Sequence, residues 1–168
     1  MAIREILVYP DPILAQVADE IGDVHDPEIQ TLIDDLIETM QAGPGGVGIA
    51  APQVGASRRL VVVDCSGHKK VTTCHGLMVL VNPEILDWQG MEVAREGCMS
   101  LPDYTADVVR AVSVKLAASD RDGNPVVIET EGFEARAIQH EMDHLEGKLF
   151  IDRVVSPKRD LHRRKKYK

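Results

Sequence analysis

The chain has 168 residues, 44% hydrophobic and 27% charged, a balance that excludes a disordered or collagen-like chain and predicts one soluble domain over residues 1–168. The net charge of −8 is uneven: residues 158–168 hold seven Lys/Arg against one acid, a local +6, so the remainder carries −14. A basic tail on an acidic body argues against duplex DNA as partner, although the tail alone could meet RNA or another anionic surface. No apolar run reaches membrane-spanning length, the first residues lack a secretory h-region, and three cysteines are too few for a disulfide framework. A cytoplasmic protein without membrane association is expected.

In chain order, residues 6–9 read as extended and run into a Pro-Asp-Pro turn. Residues 27–40 predict a helix. Asp26 can cap it, Pro27 suits its first position, and Ile29, Leu32, Ile33, Leu36, Ile37 and Met40 form an apolar stripe. Glycines at 43–48 break it. Residues 60–63, 78–81, 112–116 and 126–128 predict strands, the last two joined by a turn at Asp122-Gly123. A second helix is expected over 133–146, stopped by Gly147, and Ser156-Pro157 opens a short third helix carrying the basic tail. One helix, several strands, then another helix predicts an α+β fold rather than alternating βαβ units.

The second helix carries the chemistry. His140-Glu141-Met142-Asp143-His144 sets two imidazoles about 40° apart on one helix face, one turn from each other. Such a pair can bind one divalent cation, with Glu141 beside it as a candidate base for an activated water. A catalytic site normally needs a third protein ligand. Cys98, in Glu96-Gly97-Cys98-Met99-Ser100, is the best candidate, although a single cysteine is more often a small core residue. Cys65 reads as a strand-end core residue, and Cys74 with His75 as loop residues lacking a well-spaced partner. The segment Gly46-Val47-Gly48-Ile49-Ala50-Ala51-Pro52-Gln53 lets another backbone approach closely. It matches neither a dinucleotide loop nor a Walker loop. On residue type alone it is a tight bend under the sheet, with Gln53 a polar surface residue.

Together these three segments resemble the peptide deformylases: G-x-G-x-A-A-x-Q from Gly46, E-G-C-x-S from Glu96 and H-E-x-D-H from His140, in that order. Tyr9-Pro10-Asp11-Pro12, Asn82-Pro83 and Asp120-Arg121-Asp122-Gly123 extend the likeness along the chain. The resemblance implies small mixed or antiparallel β-sheets around a central metal-binding helix, with an N-terminal helix and a short C-terminal one. It implies hydrolysis of the formyl group from the formyl-methionine of nascent polypeptides, releasing formate. Cys98, His140 and His144 would be the metal ligands, with water as the fourth, and Glu141 the general acid/base. The amide of Gln53 and the backbone N–H of Met99 would face the developing oxyanion. Backbone groups of Val47, Gly48 and Gly97 would pair with the substrate as an added strand.

The resemblance also implies Fe²⁺ as the native ion, with Zn²⁺, Ni²⁺ or Co²⁺ as replacements, although general rules make the ligand set suitable for Zn²⁺. Many relatives carry Leu at Met99, some carry Arg at Thr105, and several have an aliphatic residue at Arg136. Here Arg136 is expected to snorkel outward along the methionine pocket while Phe133 supplies an apolar wall, with simple core packing equally open for Phe133. Helix geometry turns Asp143 away from Glu141, towards a supporting ion pair. An Arg is common in relatives at the position of Arg110, so the resemblance implies that Arg110 is its partner and that the pair holds the helix against the Cys98 segment. By the same likeness the basic tail would dock near the ribosome. Two rivals stand beside this reading. A zinc protease would need a downstream third ligand, for which there is only His162. A structural-metal module would need a fourth protein ligand, and none is evident.

Overall fold

The computed structural model describes residues 2–43, 46–68, 74–154 and 156–163. Helix α1 (Pro27–Ala42) begins as its sequence requires, with the Asp26 side chain accepting from Glu28 N–H and Pro27 at the first position. Strands β1 (Gly48–Ala50), β2 (Leu60–Val63), β3 (Met78–Gln89), β6 (Ser113–Ser119) and β7 (Pro125–Glu131) form an antiparallel sheet in the order β1-β2-β3-β6-β7. Strands β4 (Glu92–Cys98), β5 (Leu101–Arg110) and β8 (Leu161–Arg163) form a second antiparallel sheet, β4-β5-β8. Helix α2 (Gly132–Leu145) carries the histidines, and α3 (Pro157–Asp160) is one turn long. The fold is α+β.

Strand β2 shows why the first sheet sits where it does. All four of its residues are buried. Leu60 and Val62 join the α1 side chains Ile29, Leu32, Ile33, Leu36 and Met40 in one core cluster. Val61 and Val63 face the other way, into a cluster with Ala135, Ala137, Ile138 and Leu145 of α2. A strand covered on both faces needs a continuous apolar run, and Leu-Val-Val-Val supplies one. A third cluster joins Cys98, Leu101, Ala106 and Val108 of the second sheet to Leu149 and Phe150.

The end of α2 is fixed sterically. Gly147 follows it at φ 72°, and a Cβ there would lie 2.6 Å from the carbonyl oxygen of Ala15. Residues 6–9 form no strand, yet they stitch the site's two loops together from behind. Leu7 N–H donates to Gln53 O at 2.7 Å, and Tyr9 N–H to Ser100 O at 2.8 Å.

The structure adds to the plain residue reading at three places. Strands β4 and β5 were not foreseen. The expected short third helix begins at Pro157 but ends already at Asp160, whose carboxylate accepts from Ser156 N–H at 3.0 Å. Leu161 then joins the third core cluster while β8 pairs with the open edge of β5. The rest of the tail, residues 164–168, lies outside the described residues. Finally, Gln53 is buried rather than on the surface.

Candidate active site

His140 and His144 lie one turn apart on the buried face of α2, and Cys98 ends β4 beside them. Cys98 Sγ is 3.5 Å from His144 Nε2, and the three candidate ligand atoms lie within 4.8 Å of one another. A tetrahedral ion with bonds of about 2.3 Å to sulfur and about 2.0–2.1 Å to nitrogen sets those two atoms about 3.6 Å apart. The sulfur and the His144 nitrogen therefore already stand at bridging distance. His140 uses Nδ1 to meet Glu96 Oε1 at 2.8 Å, which leaves Nε2 as its ligand atom.

The electrostatics suit a cation at this point. Burial opposes ionisation of the Cys98 thiol, but the His144 charge and a hydrogen bond to His140 hold it well below the usual thiol range. Burial likewise disfavours a charged His140, yet the carboxylate of Glu141 and the Cys98 sulfur raise it well above ordinary histidine. A site that gathers a thiolate against two imidazoles favours a metal. Glu141 points into the same space. Its Oε1 is buried with no hydrogen-bond partner among the described residues and lies 4.0 Å from His144 Nε2. Burial pushes its carboxyl up to about 6, against the pull of His140 and His144. An unsatisfied buried carboxylate oxygen is costly unless something fills the space before it. Gly48 makes the room, because a Cβ there would lie 2.7 Å from Glu141 Oε2.

Gln53 is anchored from both ends. Its Oε1 accepts from Ala50 N–H at 3.0 Å, which fixes Nε2 as the end facing the metal ligands. That amide donates to Ser100 Oγ at 3.1 Å and stands 3.5 Å from Cys98 Sγ. Met99 lies in the turn between β4 and β5, directly after Cys98. Gly48 and Gly97 sit on β1 and β4, each an edge strand of its sheet. The Val47 carbonyl accepts from Asp64 N–H at 2.8 Å, which fixes the backbone just before β1.

The Asp143–Arg110 ion pair is present, with Arg110 Nη1 donating to Asp143 Oδ2. It belongs to a larger network that sequence reasoning missed. Arg110 also grips Glu96 with two bonds of 2.9 Å, and Arg153 donates to both Asp143 oxygens. Glu96 is the hub. In a strand, residues two apart share a face, so a carboxylate two residues before the candidate ligand Cys98 was the available signal. Ser100, fully buried against Gln53, was missed too.

Arg136 is corrected. Instead of snorkelling outward it is buried, with its guanidinium bound to Glu96 and to two backbone carbonyls. A buried guanidinium needs such partners, and Glu96 offers the nearest charge. Phe133 is half-buried, stacks on His68 at a centroid distance of 4.1 Å, and packs against the α2 core. Cys65 is fully buried at the strand end, its thiol pushed up to about 12 by burial and the Glu134 charge. His75 is committed to Glu134, so it leaves no second ligand cluster with Cys74 among the described residues.

The family model for polypeptide deformylase matches residues 3–160. Peptide deformylase 2 of Vibrio vulnificus is 48% identical over 168 residues, covering all of this chain and 95% of the relative. Peptide deformylase of Thermodesulfovibrio yellowstonii is 46% identical over 98% of this chain and 97% of its own. A crystal structure of a peptide deformylase from Legionella pneumophila superposes with a TM-score of 0.84 at 44% identity, covering 94% of this chain and 89% of that one. The chain therefore belongs to the peptide deformylase family, metal-dependent hydrolases that remove the N-terminal formyl group from nascent peptides.

Proposed function

We propose that residues 1–168 act as one catalytic domain whose centre is Cys98, His140 and His144 around a single Fe²⁺, with Glu141 as general acid/base. The observation that carries this reading is the buried triangle of ligand atoms with an unpartnered Glu141 oxygen beside it. A divalent cation in that triangle supplies Lewis acidity and a water that ionises near neutral pH. Glu141 accepts the proton released there and returns it to the departing amine. The Gln53 amide, held by Ala50 and Ser100, and the Met99 N–H donate to the oxygen of the attacked formyl group. Gly48 and Gly97, on the open edges of β1 and β4, pair with the peptide backbone, helped by the Val47 N–H. Phe133 forms an apolar wall for the methionine side chain. The Arg136 guanidinium is engaged with Glu96 and does not contact the substrate.

Formate release from formyl-Met peptides, by anaerobically prepared protein loaded in turn with Fe²⁺ and Ni²⁺, tests the metal assignment. Activity of the iron form decays in air and that of the nickel form persists. Equal persistence contradicts iron. Zn²⁺ and Co²⁺ fit the same ligands. Because the substrate is a nascent chain, the same reading gives a cytoplasmic location and no DNA or membrane partner. No helix among the described residues is long and apolar enough to cross a membrane. The excess of Lys and Arg in residues 158–168 supports a contact with ribosomal RNA. Binding to ribosomes that survives removal of those residues and ignores salt rules that contact out.

A further inference from the structure

Helix α2 lies mainly against β1, β2, β6 and β7 of the five-stranded sheet and against the turn Ala51–Val54; β4 and β5 are not among its principal neighbours. Yet the ligand set is divided between α2, with two histidines, and β4, with Cys98. Main-chain packing alone leaves the spacing between these elements weakly determined. Long side chains bridge the gap.

Arg136 is one turn before His140, on the same face of α2. Its Nη1 donates to Glu96 Oε2 at 2.7 Å and to Val108 O at 2.9 Å, and its Nη2 donates to Glu92 O at 2.7 Å. Glu92 and Glu96 belong to β4 and Val108 to β5, so one side chain ties the helix to both strands. The Glu96 carboxylate is fully used. Oε1 takes His140 Nδ1 and Arg110 Nη2, while Oε2 takes Arg110 Nε and Arg136 Nη1. Arg110 enters this cluster from β5 and Arg136 from α2. Among the described residues, Arg136 joins the histidine helix to the main chain of the cysteine strand through one planar group.

We propose that Arg136 is a positioning residue for the metal centre, holding β4 and Glu96 in register with α2 so that Cys98 and His140 converge on one ion. This rests on the metal reading given above. Loss of the guanidinium leaves two carbonyls and one Glu96 oxygen short of a donor, which costs stability by itself. The test must therefore separate stability from metal geometry.

The full chain is compared as wild type, Arg136→Met, Arg136→Lys and Leu36→Ala, the last a destabilising change in α1 remote from the ligands. Zn²⁺ affinity is measured by competition with a chromophoric chelator, and the Co²⁺-substituted proteins are examined by visible absorption. Arg136→Met is expected to lose about 10- to 100-fold in Zn²⁺ affinity and to shift the Co²⁺ bands. Arg136→Lys recovers part of the loss, because one ammonium cannot reproduce the fork. Leu36→Ala keeps wild-type affinity and spectrum. A folded Arg136→Met with both properties unchanged overturns the proposal, however low its melting temperature. Should Arg136→Met fail to fold, wild-type affinity in Arg136→Lys overturns it equally. A wild type that binds no Zn²⁺ overturns the metal reading and this inference with it, whereas normal wild-type binding with unchanged variants overturns the inference alone.

Discussion

The two long helices cover opposite faces of the same sheet and are built on opposite principles. Helix α1 buries Ile29, Leu32, Ile33, Leu36 and Met40, and its two buried polar residues, Asp35 and Thr39, receive the N-terminal arm through Ala2 and Arg4. Each of its aliphatic side chains contributes about 1.5–3 kcal/mol of burial. Helix α2 buries Glu134, Arg136, His140, Glu141, Asp143 and His144 alongside a few apolar residues. Charged groups rarely sit inside a protein unless paired, and breaking a buried pair is far more costly than never having built it. Helix α1 therefore holds the sheet in place. Helix α2 gives up part of its own apolar packing to hold a cluster of charged and candidate metal-ligating side chains in fixed positions.

The contrast can be broken most severely at the proposed ligand that neither helix provides. Replacing Cys98 with Ala is expected to abolish stoichiometric metal binding and reduce formate release to background, read by metal analysis and by assay. Substantial turnover in that variant would remove Cys98 from the centre. Next in size is Leu36→Ala, which creates a cavity under α1. It should cost about 2–5 kcal/mol in urea unfolding while leaving kcat/KM per folded molecule unchanged. A matching fall in kcat/KM would show that the helices do not divide their labour. Gly48→Ala tests the space in front of Glu141. The added Cβ would displace that carboxylate, and kcat should fall by about 100-fold with little change in melting temperature. The smallest effect lies in the support network. A double-mutant cycle of Arg110→Met and Asp143→Asn should give a coupling of about 0.5–3 kcal/mol in stability, and additive losses would contradict the pairing seen here.

The two regions also differ in how far they were legible. Helix α1 could be read because its stripe, cap and proline obey general rules, and β2 because its apolar run is continuous. The His140–His144 spacing was equally plain. Strands β4 and β5 escaped because the site inverts their pattern: Val93 is exposed while Glu96 and Arg110 are buried. Alternation of apolar and polar residues signals a strand only when the buried face is apolar. Arg136 was misplaced for a related reason, and residue type alone would have put Gln53 on the surface too. A polar residue reads as a surface residue until its partners are known, and Cys98 and Ser100 for Gln53, like Glu96 for Arg136, lie 40 or more residues away in sequence. The strand β8 depends on the free edge of β5, which no local pattern in residues 161–163 announces.

The most direct test of the central claim, that the buried charges of α2 form a metal-dependent hydrolytic centre with Cys98, uses one anaerobic sample each of wild type and Glu141→Ala. Metal content and formate release from a formyl-Met peptide are measured on the same material. One metal per chain in both proteins is expected, with turnover in the wild type and a loss of about 100-fold or more in the variant. Metal-loaded wild type that releases no formate, or a Glu141→Ala protein that works as well as the wild type, would contradict the account.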